Sequence, residues 1–193
     1  VAVISVALPI GNGVYHGGVW SQIAAHARGR DYHHTLKDIL SRLAEFVRQQ
    51  YGQVRFRPCV DSAPVPERTW AFLCGLGVLG RNGALMVSGI GPAVLLGELI
   101  CAGVPAPSGA VEPSATVCGD CRQCVVACPT GALLGDGTLD ARRCLAYHSV
   151  ENRHAVPADI GSRMQCLFGC DICTSVCPFT RSVDSGLEPV AAP

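Results

Sequence analysis

The chain has 193 residues, of which 49 % are hydrophobic and only 16 % are charged. This composition indicates a globular protein with a buried core and excludes a disordered or polybasic chain. The formal net charge is zero, so the overall charge of the chain does not indicate a nucleic-acid partner. The charge is uneven, because residues 1–60 hold seven Lys and Arg against three acidic residues.

No apolar run approaches the roughly 18–20 residues that span a bilayer, so no membrane association is predicted. The opening VAVISVALPI lacks a basic flank and a cleavage site, and it is therefore predicted to be a buried strand rather than a signal peptide. Because the chain begins with Val1, we expect an upstream segment to be missing. Twelve cysteines, nine of them after residue 117, favour a reducing cytoplasm over a disulfide-rich secreted protein.

The strongest helical pattern follows the first strand. Asp31 is a plausible N-cap, and Gly52 is predicted to end the helix. Between them, apolar residues recur at intervals of three and four, which predicts an amphipathic helix. These positions are Leu36, Ile39, Leu40, Leu43, Phe46 and Val47.

Shorter elements are predicted further along. VRFRPCV, residues 54–60, alternates as a half-buried strand, and Pro64 suits the first turn of a helix running to the Gly-Leu-Gly at 75–77. ALMVS and AVLLGELIC are predicted to be two more strands. The fold class is therefore α+β, with a mixed α/β domain over residues 1–102. We predict that this domain is followed by a Pro- and Gly-rich linker (103–117), a cysteine-rich domain (118–181) and a disordered tail (182–193).

The cysteine-rich domain contains CGDCRQCVVACP, the C-x2-C-x2-C-x3-C-P run of bacterial ferredoxins. In those proteins three close cysteines hold one 4Fe–4S cluster and the fourth reaches the other cluster. A second run, CDICTSVCP, is one cysteine short, and Cys144 completes it. Cluster one is assigned to Cys118, Cys121, Cys124 and Cys177, and cluster two to Cys128, Cys144, Cys170 and Cys173.

Two structural zinc sites are the competing interpretation, because CxxC pairs also form zinc ribbons. The C-P endings and the exchange of one cysteine between the two runs favour clusters. Four cysteines remain outside both sets, and each is predicted to be a small buried apolar residue. They are Cys59, Cys74, Cys101 and Cys166.

Four motifs precede the cysteines in the order GRDYHHTL, RPCVDSAPVPER, GLGVLGRNGALMV and LLGELI. Together with the double-cluster run, they resemble the epoxyqueuosine reductase family over nearly the whole chain. The resemblance implies a cobalamin-binding α/β domain followed by a ferredoxin-like module with two 4Fe–4S clusters. It implies reduction of epoxyqueuosine to queuosine in tRNA, the last step of queuosine biosynthesis.

The resemblance also implies roles for residues of the first domain. Asp61 corresponds to the aspartate that protonates the substrate oxygen, and Asn82, Leu85 and Leu96 match positions that line the cobalamin. Arg68 is expected to contact the substrate. From residue physics alone, Asp61 and Ser62 would more simply cap the following helix, and the others would be ordinary loop or core residues.

Several features differ from the family pattern. Arg81 stands where Lys is usual, Ala93 and Val94 replace an aromatic pair, and about three additional residues, including Cys166, precede Cys170. The helical-repeat extension that some members carry for tRNA is not in this sequence.

The implied partners are a tRNA anticodon loop and an external one-electron donor such as flavodoxin or ferredoxin, and we expect a monomer. A basic face formed by Arg28, Arg30, Lys37, Arg42 and Arg48 would contact phosphates, or would be an ordinary solvated helix surface. Two other functions stay open. They are a two-cluster electron-transfer protein and a cobalamin iron–sulfur reductase acting on a small molecule, such as a reductive dehalogenase-like protein.

Overall fold

The computed structural model describes residues 1–10, 19–105 and 117–180. The strands are β1 (Ala2–Pro9), β2 (Arg55–Cys59), β3 (Gly77–Leu79), β4 (Leu85–Val87) and β5 (Val94–Ala102). The α-helices are α1 (Tyr32–Tyr51), α2 (Glu67–Leu73), α3 (Gln123–Ala127), α4 (Ala158–Gly161) and α5 (Ile172–Ser175). Short 3₁₀ turns cover Val19–Gln22, Ala25–Ala27 and Ala141–Arg143, and a π-helical turn covers Tyr147–Glu151.

The main sheet has three strands in the order β1-β5-β2, and both pairings are antiparallel. Strand β1 pairs with β5 from Ala2↔Cys101 to Pro9↔Val94, so its hydrogen-bonding partner comes from within this chain. Pro58 lies on β2, an edge strand, where a residue without an N–H leaves no ladder donor missing. Strands β3 and β4 form a separate hairpin.

Helix α1 covers one face of the sheet and confirms the strongest sequence prediction. The Asp31 side chain accepts a hydrogen bond from the His33 N–H at 2.9 Å, and the helix ends at Gly52, whose φ is +75°. Leu36 and Leu40 are fully buried against Leu99 of β5. The prediction was wrong at Phe46, whose side chain is 59 % exposed, because Ala44 and Val47 supply that part of the buried stripe.

Helix α2 lies against the opposite face of the sheet and begins at Glu67, not at Pro64 as predicted. Residues 60–67 instead form successive tight turns, in which the N–H groups of Ser62, Val65 and Glu67 each donate to the carbonyl two residues earlier. Prolines at 64 and 66 lack donors and hold φ near −65°, which favours such turns over a helix.

Glu98 of β5 is a fully buried carboxyl group on the α2 face of the sheet. Its Oε1 accepts a hydrogen bond from the Ser5 hydroxyl at 3.4 Å, whereas Oε2 has no hydrogen-bond partner among the described residues. Burial, followed by the nearby charge of Glu67, raises the pKa of Glu98 to about 7.

The cysteine-rich module contacts the first module through the turn between β3 and β4. The Arg81 guanidinium donates to the carbonyls of Gly119, at 2.7 Å, and Gly135. The Asn82 amide donates to the Cys173 carbonyl at 3.4 Å. A second contact pairs Ile23 with Phe168. Most of the predicted linker (106–116) and the whole predicted tail lie outside the described residues.

Candidate active site

A cavity of about 860 Å³ is lined by residues of both modules. This volume is at the upper end of the range, about 300–1,000 Å³, that is usual for small-molecule sites. The first module contributes His26, Ala27, Gly29, Asp31, Tyr32, His33, Asp61 and Leu95. The second contributes Leu139, Ala141, Cys144, Ala146, Tyr147, Val150, Glu151, Phe168, Gly169, Cys170 and Asp171.

Asp61 lies in the wall of this cavity on a strained turn. Its φ is +50°, and no other non-glycine residue in the described part of the chain has a positive φ. The Ser62 N–H donates to the Val60 carbonyl at 2.6 Å, so Asp61 is the central residue of a rare classic γ-turn. Such backbone strain is concentrated at functional sites.

The backbone of this turn is held by α2. The Asp61 N–H donates to Oε1 of Glu67 at 2.6 Å, and helix α2 has Pro66 at its N-cap with no side-chain capping hydrogen bond. The capping role that residue physics alone favoured for Asp61 and Ser62 is therefore wrong. The side chain of Asp61 is 57 % exposed and turned towards the cavity.

His33 joins Asp61 to a second carboxylate. Its Nδ1 lies 2.7 Å from Oδ1 of Asp31, and its Nε2 lies 3.4 Å from Oδ2 of Asp61. Hydrogen bonding from His33 lowers the pKa of Asp31, which favours the ionised form of that carboxyl group. An anion at Nδ1 holds the proton on that nitrogen and leaves Nε2 facing Asp61.

Aromatic rings surround the carboxyl group. The rings of Tyr32 and His33 are stacked with centroids 4.1 Å apart, and the His26 ring lies 5.9 Å from Phe168 and 6.1 Å from Tyr32. Burial raises the pKa of Tyr32 and lowers that of His26, which favours the neutral form of both. Tyr147 of the second module completes the aromatic lining.

The four cysteines predicted for cluster one line a common small cavity with Pro178 and Phe179. Cys124 is buried, and the Arg81 N–H donates to the Cys118 sulfur at 3.3 Å. Backbone donors to a cluster thiolate raise its reduction potential. The turn between β3 and β4 joins the two modules and would also raise the reduction potential of a cluster held here.

The cysteines predicted for cluster two lie closer to Asp61, because Cys144 and Cys170 line its cavity. Cys173 is near both, and the Cys128 sulfur accepts a hydrogen bond from the Ala132 N–H at 3.3 Å. Burial raises the pKa of Cys170 to about 11 and that of Cys173 to about 12. Both thiols would therefore be protonated in the absence of a metal, and cluster binding would release these protons.

Each of the four thiolates that hold a 4Fe–4S cluster binds a different iron. The four sulfur atoms therefore lie farther apart than the ligands of a single metal ion. Within the described ranges, no group of three His, Cys, Asp or Glu side chains is placed to hold a single metal ion. The shared cavity of four soft thiol donors fits a cluster.

The other residues that the resemblance singled out do not line the cavity of Asp61. Asn82 lines the cluster-one cavity, Leu85 is buried on β4, and Leu96 is half-buried on β5, where its neighbour Leu95 faces the cavity instead. Arg68 is exposed, and its guanidinium donates to the Gly83 carbonyl at 2.5 Å. Their roles towards cofactor and substrate stay predictions.

The predicted basic face is divided by the geometry of α1. Lys37 and Arg48 lie on the same side of the helix, but Arg42 is more than about 100° away around the axis. At about 1.5 Å per residue, Arg48 is also about 24 Å along the helix from Tyr32. Arg28 and Arg30 flank the cavity-lining Gly29, as Arg142 and Arg143 lie between the cavity-lining Ala141 and Cys144.

The prediction for the remaining cysteines was correct for Cys59 and Cys101, which are buried on β2 and β5. It was wrong for Cys74, which is exposed at the C-cap of α2, where its thiol donates to the Val3 carbonyl of β1 at 3.5 Å. It was also wrong for Cys166, which is only half-buried beside Cys170.

None of the helices in the described residues is both long and apolar enough to cross a membrane.

The paired cysteine sets define the class of this protein. Residues 117–180 match the family described as 4Fe-4S double cluster binding domain, so the second module is that of a two-cluster iron–sulfur protein. The mixed α/β module in front of it separates the chain from a plain ferredoxin.

The first module identifies the family. Residues 2–62 match the family described as Epoxyqueuosine reductase QueG, DUF1730. The epoxyqueuosine reductase of Synechococcus sp. (strain RCC307) is 38 % identical over 175 residues, covering 89 % of this chain and 53 % of that protein. That of Cyclobacterium marinum is 41 % identical over 162 residues, covering 83 % and 51 %.

A solved structure of epoxyqueuosine reductase with a tRNA-Tyr epoxyqueuosine-modified tRNA stem loop is similar over 97 % of this chain and 50 % of its own. Its TM-score is 0.80 and its sequence identity is 28 %. The chain belongs to the epoxyqueuosine reductase family, and it spans about half the length of the curated relatives that it matches.

Proposed function

We propose that this chain is the reductive core of a cobalamin-dependent iron–sulfur enzyme that converts epoxyqueuosine to queuosine in tRNA. The observation that carries the proposal is the position of Asp61, hydrogen-bonded to His33 in a cavity that also exposes Cys144 and Cys170. A proton donor and the ligands of an electron carrier would share one cavity, as a reduction with loss of oxygen requires.

The two 4Fe–4S clusters would be held by the two sets of four cysteines, and the cavity next to Asp61 is large enough to admit a tetrapyrrole face. When bound, cobalamin would supply a nucleophile for the epoxide carbon and pass on electrons delivered through the clusters. By the family resemblance, Asp61, Asn82, Leu85 and Leu96 would contact it. Loss of the epoxide oxygen as water requires two electrons and two protons.

One of these protons would be delivered by Asp61 and its neighbours. The carboxyl group of Asp61 would protonate the epoxide oxygen as the C–O bond opens, an effect typically worth about 10²–10⁴-fold in rate. Nε2 of His33 would take up a proton from solvent and pass it to Asp61, since Nε2 faces Oδ2 of Asp61. Asp31 would stabilise the charged imidazole during this transfer through its contact with Nδ1.

The cavity is also suited to an unpaired nucleoside. Tyr32, Tyr147 and Phe168 present aromatic rings, on which nucleobases stack in single-stranded RNA recognition. Arg68, on the helix that follows the Asp61 turn, would contact the substrate, and Arg28 and Arg30 flank the cavity for phosphate contacts. A tRNA anticodon loop is therefore the proposed partner.

The remaining partners follow from the chemistry. Two one-electron steps require an external donor such as flavodoxin or ferredoxin, and twelve reduced cysteines suit the cytoplasm. The protein is proposed to act as a monomer.

Cofactor loading separates the enzyme from a simple electron-transfer protein. After anaerobic reconstitution, we expect about eight iron atoms per chain, because two 4Fe–4S clusters contain four each, and one cobalamin. Binding can be measured by metal analysis and by the change in the cobalamin absorption spectrum. If iron is incorporated but cobalamin is not bound, the electron-transfer alternative is favoured for this chain.

The Asp61→Asn variant tests the proton donor. We expect it to retain both cofactors and to lose about 10²–10⁴-fold in single-turnover rate on epoxyqueuosine-containing tRNA. Asp38→Asn is the matched control, because Asp38 is an exposed acid on α1 away from the cavity. Equal rates in the two variants would remove Asp61 from the mechanism. Conversion of a small epoxide with no conversion of tRNA would favour the small-molecule reductase.

A further inference from the structure

The tight turn at the end of β2 is held from both sides. On the first side, Cys59 pairs with Glu98 of β5 and Val60 is buried, so the chain enters the turn from a fixed strand. On the second side, Oε1 of Glu67 accepts a hydrogen bond from the Asp61 N–H at 2.6 Å. Asp61, the proposed proton donor, therefore lies between a sheet and a single carboxylate.

Helix α2 provides a fixed base for that carboxylate. Ala71, about one turn after Glu67, is fully buried, so the helix is anchored on the apolar side. The Arg68 guanidinium donates to the Gly83 carbonyl at 2.5 Å, which ties the start of the helix to the turn between β3 and β4. The half-buried Glu67 side chain therefore extends from an anchored helix and not from a free loop.

Helix capping does not explain the hydrogen bond between Asp61 and Glu67. In a capping box, the acidic side chain at the third helical position bonds to the N–H of the N-cap residue. Glu67 is instead the first residue of α2, and Asp61 lies six residues earlier, outside the helix. The bond therefore stabilises the turn. It holds Asp61 at a φ of +50°, a conformation that a residue with a side chain rarely adopts without support.

We propose that Glu67 is a positioning residue that keeps the Asp61 carboxyl group in the cavity by accepting the Asp61 N–H. Without this acceptor, the strained turn would relax to a negative φ and carry the side chain away from His33. A hydrogen bond to a charged group is strong enough to change such a population about 10–100-fold. This role rests on the proposed function, because the step that Glu67 serves is proton delivery by Asp61.

Substitutions of Glu67 in the loaded protein separate positioning from a general effect on α2. Glu67→Gln keeps an acceptor oxygen at the same reach and should retain most of the single-turnover rate on epoxyqueuosine-containing tRNA. Glu67→Asp keeps the charge at the helix start but is one methylene shorter, and Glu67→Ala removes both. We expect these two to lose about 10–100-fold in rate at saturating tRNA, with the dissociation constant of tRNA unchanged. If Glu67→Gln is slowed as much as Glu67→Asp, or if Glu67→Ala keeps its rate, the proposal is wrong.

Crystal structures of the same variants provide a measurement that does not depend on turnover. Asp61 should keep a positive φ in Glu67→Gln and adopt a negative φ in Glu67→Ala, with α2 intact in both. Iron content shows whether each variant is folded, and Glu67→Asp replaces Glu67→Ala if the latter does not fold. If the unmodified chain does not convert tRNA, the proposed function fails, yet these structures still decide the role of Glu67. A positive φ at Asp61 in Glu67→Ala or Glu67→Asp would overturn it.

Discussion

Replacement of Glu98 by glutamine should stabilise the protein, and the gain should increase with pH. In the folded chain the pKa of Glu98 is raised from 4.5 to about 7, mainly by burial. The unfolded chain therefore loses this proton first as pH rises. The favourable contribution of the protonated carboxyl is complete below pH 4.5 and is lost as pH rises towards 7.

The size of the effect follows from the interval between the two pKa values. Each pH unit in that interval is worth about 1.4 kcal/mol, so ionisation of Glu98 costs on the order of 2–3 kcal/mol by pH 7.5. Glutamine has no charge to bury, and its Oε1 can still accept the hydrogen bond from Ser5. For a chain of this size, about 2 kcal/mol corresponds to roughly 4–8 °C in Tm.

Anaerobic calorimetry of the loaded protein at pH 5 and pH 7.5 measures this difference. The Tm of Glu98→Gln relative to the unmodified chain should be several degrees higher at pH 7.5 than at pH 5. Glu45→Gln is the control, because Glu45 is exposed and paired only at the surface with Arg48, where the effect should be within about 1 kcal/mol. A difference in Tm that is the same at both pH values would refute the assignment of a protonated buried carboxyl group.

Three further changes test the fold and the site. Leu40→Ala, at a fully buried position, should cost about 2–5 kcal/mol in unfolding free energy, measured by denaturant titration. Gly91→Ala should lower Tm more than Gly89→Ala does. Both glycines have positive φ, but a Cβ at Gly91 would lie 2.2 Å from the Phe179 carbonyl oxygen and one at Gly89 would meet nothing within 4 Å. Asp31→Asn should leave Tm unchanged, because Asn also caps helices. It should slow tRNA turnover, because the amide holds the His33 ring less firmly than the carboxylate does. Unchanged turnover would contradict proton transfer through His33.

Periodicity and capping were sufficient to predict α1 and the positions of β1 and β5. Asp31 and Gly52 are unambiguous end signals, and the apolar spacing between them fits only a helix. Strand β3 was not predicted, because Gly77–Leu79 is too short to show alternation. The start of α2 was misplaced because Pro64 and Pro66, together with the local hydrogen bond from Asp61 to Glu67, favour turns over residues 61–66.

The candidate site was predictable in its residue types but not in its connections. Spacing alone paired the cysteines, and the family resemblance selected Asp61. The contact between His33 and Asp61 joins residues 28 positions apart and has no local signal. The DYHH motif was read correctly as a helix start, and nothing in it indicated the contact between His33 and Asp61. The burial of Glu98 could not be predicted for a similar reason. The position of a glutamate within a strand does not indicate whether its face of the sheet will be covered.

The pairing of residues 22–24 with residues 167–168 has a consequence for maturation of the protein. Cys170 follows directly after Gly169, whose α-carbon is so close to the Ala24 side chain that a Cβ there would lie 2.4 Å away. An iron-bound Cys170 would therefore also hold the strip of chain that carries His26 against Gly169. Insertion of the iron–sulfur clusters would then fix the shape of the cavity before any larger ligand binds in it. The holoprotein would be assembled in that order, clusters first.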